Sequence, residues 1–312
     1  GKGIMIEAFH SNWTRPFFYS NQHKEYYIED FEILTTILSA LKWREKNGSI
    51  KMITDKVGAD YYKSIGLDEI WDLGIDITLD DINDKIDSNI FWAAGKLYAL
   101  KIQKSPCVMI DTDFIVWENI ESILKDTEVS VIHKEKISKE VYPDRDYFKF
   151  KNGYSLDEEL DWSVLPSNTA FIYISNDDFK NYYTKSAIDF MNNLECDHNK
   201  ITNMVFAEQR LISMCAKRKN IEINEIMSLD TLFSMKQNLF THTWGYKREM
   251  RMDFNKRREF CIRCITRIIK DYPEYEKIIA NIESLKEYYD EFKKSYYIKF
   301  DESEKNIIYS KV

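Results

Sequence analysis

Glycine and proline are scarce, nine and five in 312 residues. With so few residues that supply sharp turns and loose spacers, long flexible linkers are excluded, and no tandem repeat or low-complexity tract is present. Long apolar runs are also missing. No stretch approaches the roughly 18 to 20 residues that cross a bilayer, and the start, GKGIMIEAFH, lacks the charged-then-apolar layout of a signal peptide, so a cytoplasmic location is expected. Basic charge is in deficit, 44 Lys and Arg against 52 Asp and Glu. The resulting net charge of −8 excludes a general nucleic-acid binder, whose phosphate contacts need a basic surplus. The five cysteines (Cys107, Cys196, Cys215, Cys261, Cys264) are odd in number and scattered, as in a reducing compartment. Cys261 and Cys264 form a lone C-x-x-C, yet they share a helical face with Ile265 and Ile268, and no second Cys/His pair stands at ligand spacing. They read as core.

What is present is apolar periodicity, with 44% hydrophobic residues to build a core. Ile4 to Phe9 reads as a buried strand that ends in the polar loop His10-Ser11-Asn12-Trp13. A helix follows over Tyr27 to Lys46, with Phe31, Leu34, Ile37, Leu38 and Leu41 on one stripe and Asn47-Gly48 as its stop. The pattern then predicts a strand at Ile50 to Thr54, a helix at Val57 to Ile65 and a strand at Glu69 to Leu73. A helix over Ile82 to Gln103 and a strand at Cys107 to Ile110 come next. Alternation of this kind implies an α/β fold with a mostly parallel sheet flanked by helices. Further on, Val129 to His133, Thr169 to Ile174 and Ile221 to Ile226 read as strands, and Phe179 to Asn193 and Thr202 to Arg218 as helices. Lys136 to Ser163, polar, aromatic and Asp-rich, is a candidate substrate loop or lid. Helices over Asn255 to Lys270 and Glu274 to Lys294 suggest a catalytic domain over residues 1–250 and a helical extension, 251–312, packed on it.

Asp111-Thr112-Asp113 follows the apolar run Cys107 to Ile110 without a gap, so two carboxylates emerge where a buried strand leaves its sheet. There both can turn toward one cation. Hard divalent ions, Mn²⁺ or Mg²⁺, take oxygen ligands and would bridge these acids to a diphosphate leaving group. Downstream, in His242-Thr243-Trp244-Gly245-Tyr246-Lys247, a neutral imidazole can complete the ligand set, Gly245 admits backbone close to a phosphate, and Lys247 supplies a point charge. Glu208 can orient an acceptor hydroxyl or stabilise positive charge on a sugar, and Gln209 can hydrogen-bond it; a plain exposed helix start accounts for the pair equally well.

The segments CVMIDTDFIVWENI and THTWGYK resemble the two ends of the active site in bacterial glycosyltransferases of the GT-A type, in the style of glycosyltransferase family 8 and its capsular-polysaccharide relatives. The resemblance runs in order over roughly residues 4 to 250. It implies a GT-A, Rossmann-like domain in which Asp111, Asp113 and His242 hold the metal. Thr112, Gly245 and Lys247 would then stand among the residues that bind a nucleotide-sugar donor, with UDP as the expected carrier. The family pattern H-x-x-G-x-x-K is here H-x-x-G-x-K, one residue shorter. Lys96 resembles the basic residue on the helix before the D-x-D strand. Asn168, in NTAFIY, resembles the family's N-x-G strand beside the donor sugar, with Ala170 at the glycine position. Phe206 to Arg210 resembles an acid-glutamine pair near the reacting centre. The loops carrying His10 and Asp55 lie where such folds hold the nucleoside.

The resulting expectation is a hexosyltransferase acting on a glycan or other hydroxyl acceptor, with retaining and inverting chemistry both open. A metal-dependent nucleotidyltransferase or phosphohydrolase would use the same acids, but no glycine-rich phosphate loop follows the first strand. A catalytically silent carbohydrate-binding protein is the third reading. Residues 247–270 hold nine basic and three acidic side chains, a local excess that suits peripheral contact with an anionic membrane or a solvated helical face.

Overall fold

The computed structural model describes residues 6–195, 199–227, 231, 237–243 and 245–294. The start of the expected first strand, Cys196, Trp244 and the end of the expected C-terminal extension lie outside them. In the first half, β1 (Ala8–Ser11), α1 (Arg15–Ser20), α2 (Asp30–Lys46), β2 (Ile50–Ile53), α3 (Lys56–Ser64), β3 (Ile75–Asp76), α4 (Ala94–Lys101) and β4 (Cys107–Ile110) alternate. Then come β5 (Phe114–Val116), α5 (Glu121–Leu124), β6 (Val129–Val131), β7 (Phe171–Ile174), α6 (Asp177–Asn193), α7 (Lys200–Val205), α8 (Leu211–Arg218), β8 (Ile223–Glu225) and β9 (Phe240–His242). The described chain ends with α9 (Tyr246–Met252), α10 (Phe254–Asp271), α11 (Glu276–Asn281) and α12 (Lys286–Lys294).

Seven strands form one sheet in the order β3-β2-β1-β4-β7-β6-β8. Neighbours run parallel except on either side of β7, which opposes both β4 and β6. The expected α/β sheet, mostly parallel and flanked by helices, is therefore present. Because side chains alternate along a strand, Val108 and Ile110 enter one core and Cys107 and Met109 the other. The first core lies under α2 and α10, and the second under α4, α6 and α8. All four residues of β4 are buried, which explains its unbroken apolar run.

The chain enters β2 through a close approach. A Cβ at Gly48 would stand 2.6 Å from the Ile6 carbonyl oxygen, so no larger residue fits without backbone movement. From α10, Phe260, Cys261, Cys264, Ile265 and Ile268 all enter the α2 core, and the C-x-x-C is core as its spacing suggested. Burial pushes the thiols of Cys107 and Cys215 up to about 12, and those of Cys261 and Cys264 higher still.

Several expected elements differ in extent. The helix expected over Ile82 to Gln103 forms only from Ala94, because Asp87 bonds the amides of Asn89 and Ile90 and holds the preceding chain in turns. Glu69 to Leu73, expected as a strand, instead overlaps a 3₁₀ turn at Leu67–Ile70, and the edge strand is β3. Glu274 to Lys294 is broken between α11 and α12. Lys136 to Ser163 is irregular apart from a turn at Arg145–Tyr147. Of the nine basic residues in 247–270, seven are ion-paired within the chain. Among the described residues, no helix is long and apolar enough to cross a membrane.

Candidate metal centre

The site grows from the end of β4. The Asp111 amide makes the last ladder bond, to the Ala170 carbonyl at 2.9 Å, and the Phe114 amide then closes a turn on the Asp111 carbonyl at 3.0 Å. That turn lifts the chain out of the large sheet into a two-stranded ribbon, β5 against β9, in which Phe114 faces His242. The Thr243 amide bonds the Asp113 carbonyl at 3.2 Å, which fixes the register. As a result, ligand atoms of Asp111, Asp113 and His242 all lie within 4.8 Å of one another.

The donor set fits a hard divalent cation: two carboxylates and a neutral imidazole nitrogen. His242 is neutral because burial pulls its imidazole down to about 4 against the attraction of Asp113. For Asp113, burial alone would raise the carboxyl, but Lys247 and His242 outweigh it and bring it down to about 2. Asp111 shifts the other way. Burial raises it most, Lys96 opposes, and the charges of Asp113 and Glu208 add to the rise, leaving it at about 7.

Two lysines flank the acids. Lys247, in the first turn of α9, places Nζ 3.0 Å from Asp113 Oδ2 and 3.1 Å from Glu32 Oε1. Lys96, on α4, lies 2.8 Å from Asp111 Oδ1, touches Glu208 Oε1 and donates to the Thr169 carbonyl at 3.2 Å. Burial works against both ammonium groups, but the surrounding carboxylates more than compensate and hold them protonated.

Glu208 is neither exposed nor at a helix start. It sits in a π turn, Phe206–Arg210, between α7 and α8, and is 5% exposed. Such a turn carries one extra residue per loop of helix and often marks a functional position. Thr169 Oγ1 donates to Glu208 Oε1 at 2.6 Å, and the Tyr183 hydroxyl donates to the Glu208 carbonyl at 2.6 Å. Next to it, Gln209 Oε1 lies 3.0 Å from the Tyr142 hydroxyl, which is 3.2 Å from Glu135 Oε2; Asn168 Nδ2 donates to Glu135 Oε1 at 3.1 Å. Thr112 borders a cleft of about 320 Å³ lined also by Asn12, Trp13, Tyr26 and Glu32.

The structure therefore brings together Asp111, Asp113, His242, Lys96, Lys247 and Glu208, with Thr112 at the rim. His10 and Asp55 are both buried and bonded within the fold. His10 lies within β1 and has no exposed surface; its Nδ1 accepts from Trp71 Nε1 at 2.9 Å and its Nε2 meets Ser39 Oγ at 2.8 Å. Asp55 caps α3 through the Gly58 amide at 2.9 Å and takes the Thr14 amide at 2.8 Å, which ties the loop after β1 to that after β2. Gly245 caps α9 at φ −72°, a conformation open to any residue. Sequence reasoning missed Glu32, Glu135, Tyr142 and Thr169. Glu32 in particular looks like any acid in a first helical turn, and only the fold reveals that it faces Lys247.

Fold and site thus define an α/β protein with a two-aspartate, one-histidine centre at the carboxyl end of a central strand. The chain belongs to the family of unknown function DUF6734, whose model matches residues 6–282. No curated protein matches the sequence. Solved structures with a loosely similar course include mouse xyloside xylosyltransferase 1 in its apo form, at 7% identity and TM-score 0.38, covering 71% of this chain and 85% of that one. The PaToxG glycosyltransferase is similar at 10% identity and TM-score 0.39, covering 70% of each chain. The apo glycosyltransferase GlyE of Streptococcus pneumoniae TIGR4 is similar at 13% identity and TM-score 0.32, covering 66% of this chain and 44% of its own.

Proposed function

We propose that this protein is a glycosyltransferase that moves a sugar, a hexose on a uridine diphosphate carrier, to a glycan or other hydroxyl acceptor. In this reading Asp111, Asp113 and His242 hold Mn²⁺ or Mg²⁺. One observation carries it: three mutually close ligands at a strand end, each carboxylate backed by a protonated lysine. A bound cation there neutralises charge on the departing diphosphate. Lys96 and Lys247 are point charges for the same phosphates, and Gly245 lets the α9 N-terminus approach them.

The cleft beside Thr112, with Trp13 and Tyr26 in its wall, takes the nucleoside. His10 and Asp55 serve it indirectly, by holding the loops that form it. Asn168 lies beside the donor sugar. Glu208 and Gln209 face the reacting carbon and the acceptor hydroxyl, and the irregular stretch 136–163 is the acceptor-side lid. The kinship to family 8 chemistry belongs to this proposal, as do the division at residue 250 and a cytoplasmic location. Internal pairing of the basic residues leaves membrane contact outside it.

The decisive experiment is a screen of nucleotide sugars for slow hydrolysis with Mn²⁺ and with EDTA, alongside calorimetry of UDP. Metal-linked UDP binding and hydrolysis that vanishes in Asp113→Ala support the proposal. UDP binding that ignores the metal, or full activity in that variant, overturns it.

A further inference from the structure

Arg210 is the last residue of the π turn, directly after Glu208 and Gln209, and it is 2% exposed. A guanidinium carries five donors and no acceptor, and burying one without a counter-ion is costly. Among the described residues, no carboxylate comes within 4.0 Å of it. Its Nη2 donates to the Trp162 carbonyl, and its Cζ stands 5.7 Å from the centre of the Tyr142 ring. Nε and Nη1 have no partner. The Trp162 indole, stacked on Phe206 with ring centres 5.4 Å apart, also leaves a buried Nε1 unpartnered.

Nε and Nη1 of Arg210 and Nε1 of Trp162 are thus buried donors without acceptors, on two residues joined through the Trp162 carbonyl. The carboxylates that act on Arg210 from a distance are Asp144, which is exposed, and Asp161, whose Oδ1 is turned onto the Ser163 amide at 2.8 Å and hydroxyl at 2.6 Å. Burial pulls the guanidinium below its ordinary range, the mark of a cation short of its anion. Trp162 itself is partly exposed and lies in the irregular stretch, so the wall that closes over Arg210 reaches the surface.

We propose that Arg210 and Trp162 form a recognition site for an oxyanion on the acceptor, a carboxylate or phosphate group carried by an acidic sugar. The inference rests on the glycosyltransferase reading for the word acceptor; the oxyanion site itself does not. An acceptor-only oxyanion can supply an acceptor to these donors and neutralise the buried guanidinium. A neutral hydroxyl brings a donor of its own and no charge. Specificity then follows from donors that stay unpaired when the wrong sugar binds.

The test is calorimetry of glucuronate, glucose 6-phosphate and glucose with EDTA present, on wild type, Arg210→Met, Trp162→Phe and Lys247→Met. The expected result is binding of one or both acidic sugars and not of glucose, weakened at least tenfold in Arg210→Met, weakened in Trp162→Phe and unchanged in Lys247→Met. Binding of glucuronate identifies a carboxylate source, and of the phosphate ester alone a phosphate source. Because Arg210 lacks a counter-ion, Arg210→Met should melt no lower than wild type; if it fails to fold, Trp162→Phe decides. Equal affinity in the variant that decides, no acidic sugar bound, or binding lost only in Lys247→Met overturns the proposal. A failed donor-hydrolysis screen with oxyanion binding intact sinks the glycosyltransferase reading and leaves the site standing.

Discussion

His242 Nε2 lies 3.6 Å from Asp113 Oδ1, and the two residues are held there by backbone, since Phe114 faces His242 across the ribbon. Their proximity is therefore a property of strand pairing and does not depend on a bound ion. A cation bound there, as proposed, would meet two ligands that the backbone already holds together.

Removing one ligand should be read in metal affinity before activity. In His242→Ala the two aspartates remain, so Mn²⁺ should still bind, weaker by at least about tenfold. In the Asp111→Ala, Asp113→Ala double variant, binding should disappear. Electron paramagnetic resonance titration of Mn²⁺ measures both, and unchanged affinity in the double variant would place the cation elsewhere.

Lys96 links the buried Glu208 to the partly exposed Asp111, so its loss should be felt in stability. Lys96→Met leaves Asp111 and Glu208 facing each other without a cation, and breaking a buried pair of this kind costs about 3–5 kcal/mol. Urea denaturation should show the midpoint falling in Lys96→Met and partly recovering in Lys96→Met/Glu208→Gln. A silent Lys96→Met would mean the network is solvated.

Buried His10 makes stability depend on pH. Its imidazole is held at about 3 in the fold against 6.5 when free. Above pH 6.5 both states are neutral and nothing is lost. As pH falls below 6.5, the unfolded chain takes a proton that the fold refuses, and stability drops by about 1.4 kcal/mol per pH unit until the folded value is reached. Urea unfolding of wild type and His10→Gln at pH 7, 6 and 5 should differ in slope by about one proton, wild type being the steeper. Parallel slopes would contradict the buried, neutral histidine.

The cysteines provide a probe of packing. Cys107, Cys215, Cys261 and Cys264 are buried with raised thiols, so a thiol reagent should leave them untouched in the native protein and modify them all in urea. Rapid native labelling at any of the four, located by peptide mass, would show that its core opens.

Periodicity made β4 and the acids at its end legible, because a fully apolar strand followed by D-x-D is a local pattern. The Cys261–Cys264 face was legible for the same reason. Glu32 was not: its partner Lys247 is 215 positions away, and nothing in the neighbourhood of either announces the other. The roles suggested for His10 and Asp55 came from their place at strand ends. Asp55 does follow β2, but His10 lies within β1, and burial turns its ring onto Trp71 and Ser39 and the Asp55 carboxylate onto Thr14 and Gly58. The π turn was illegible as well, since one inserted residue leaves helical periodicity almost unchanged over a short window.

The β5–β9 ribbon also sets an order of events. It joins positions 130 apart, as in the contact of Thr243 with the Asp113 carbonyl, so a ribosome must pass residue 240 before the second strand exists. Until then Asp111 and Asp113 are an acidic turn at a sheet's edge, and a cation meeting the nascent chain finds two ligands instead of three. On the proposed reading, three-ligand binding of a cation therefore waits for β9, and a polypeptide truncated before residue 240 should lack the complete centre.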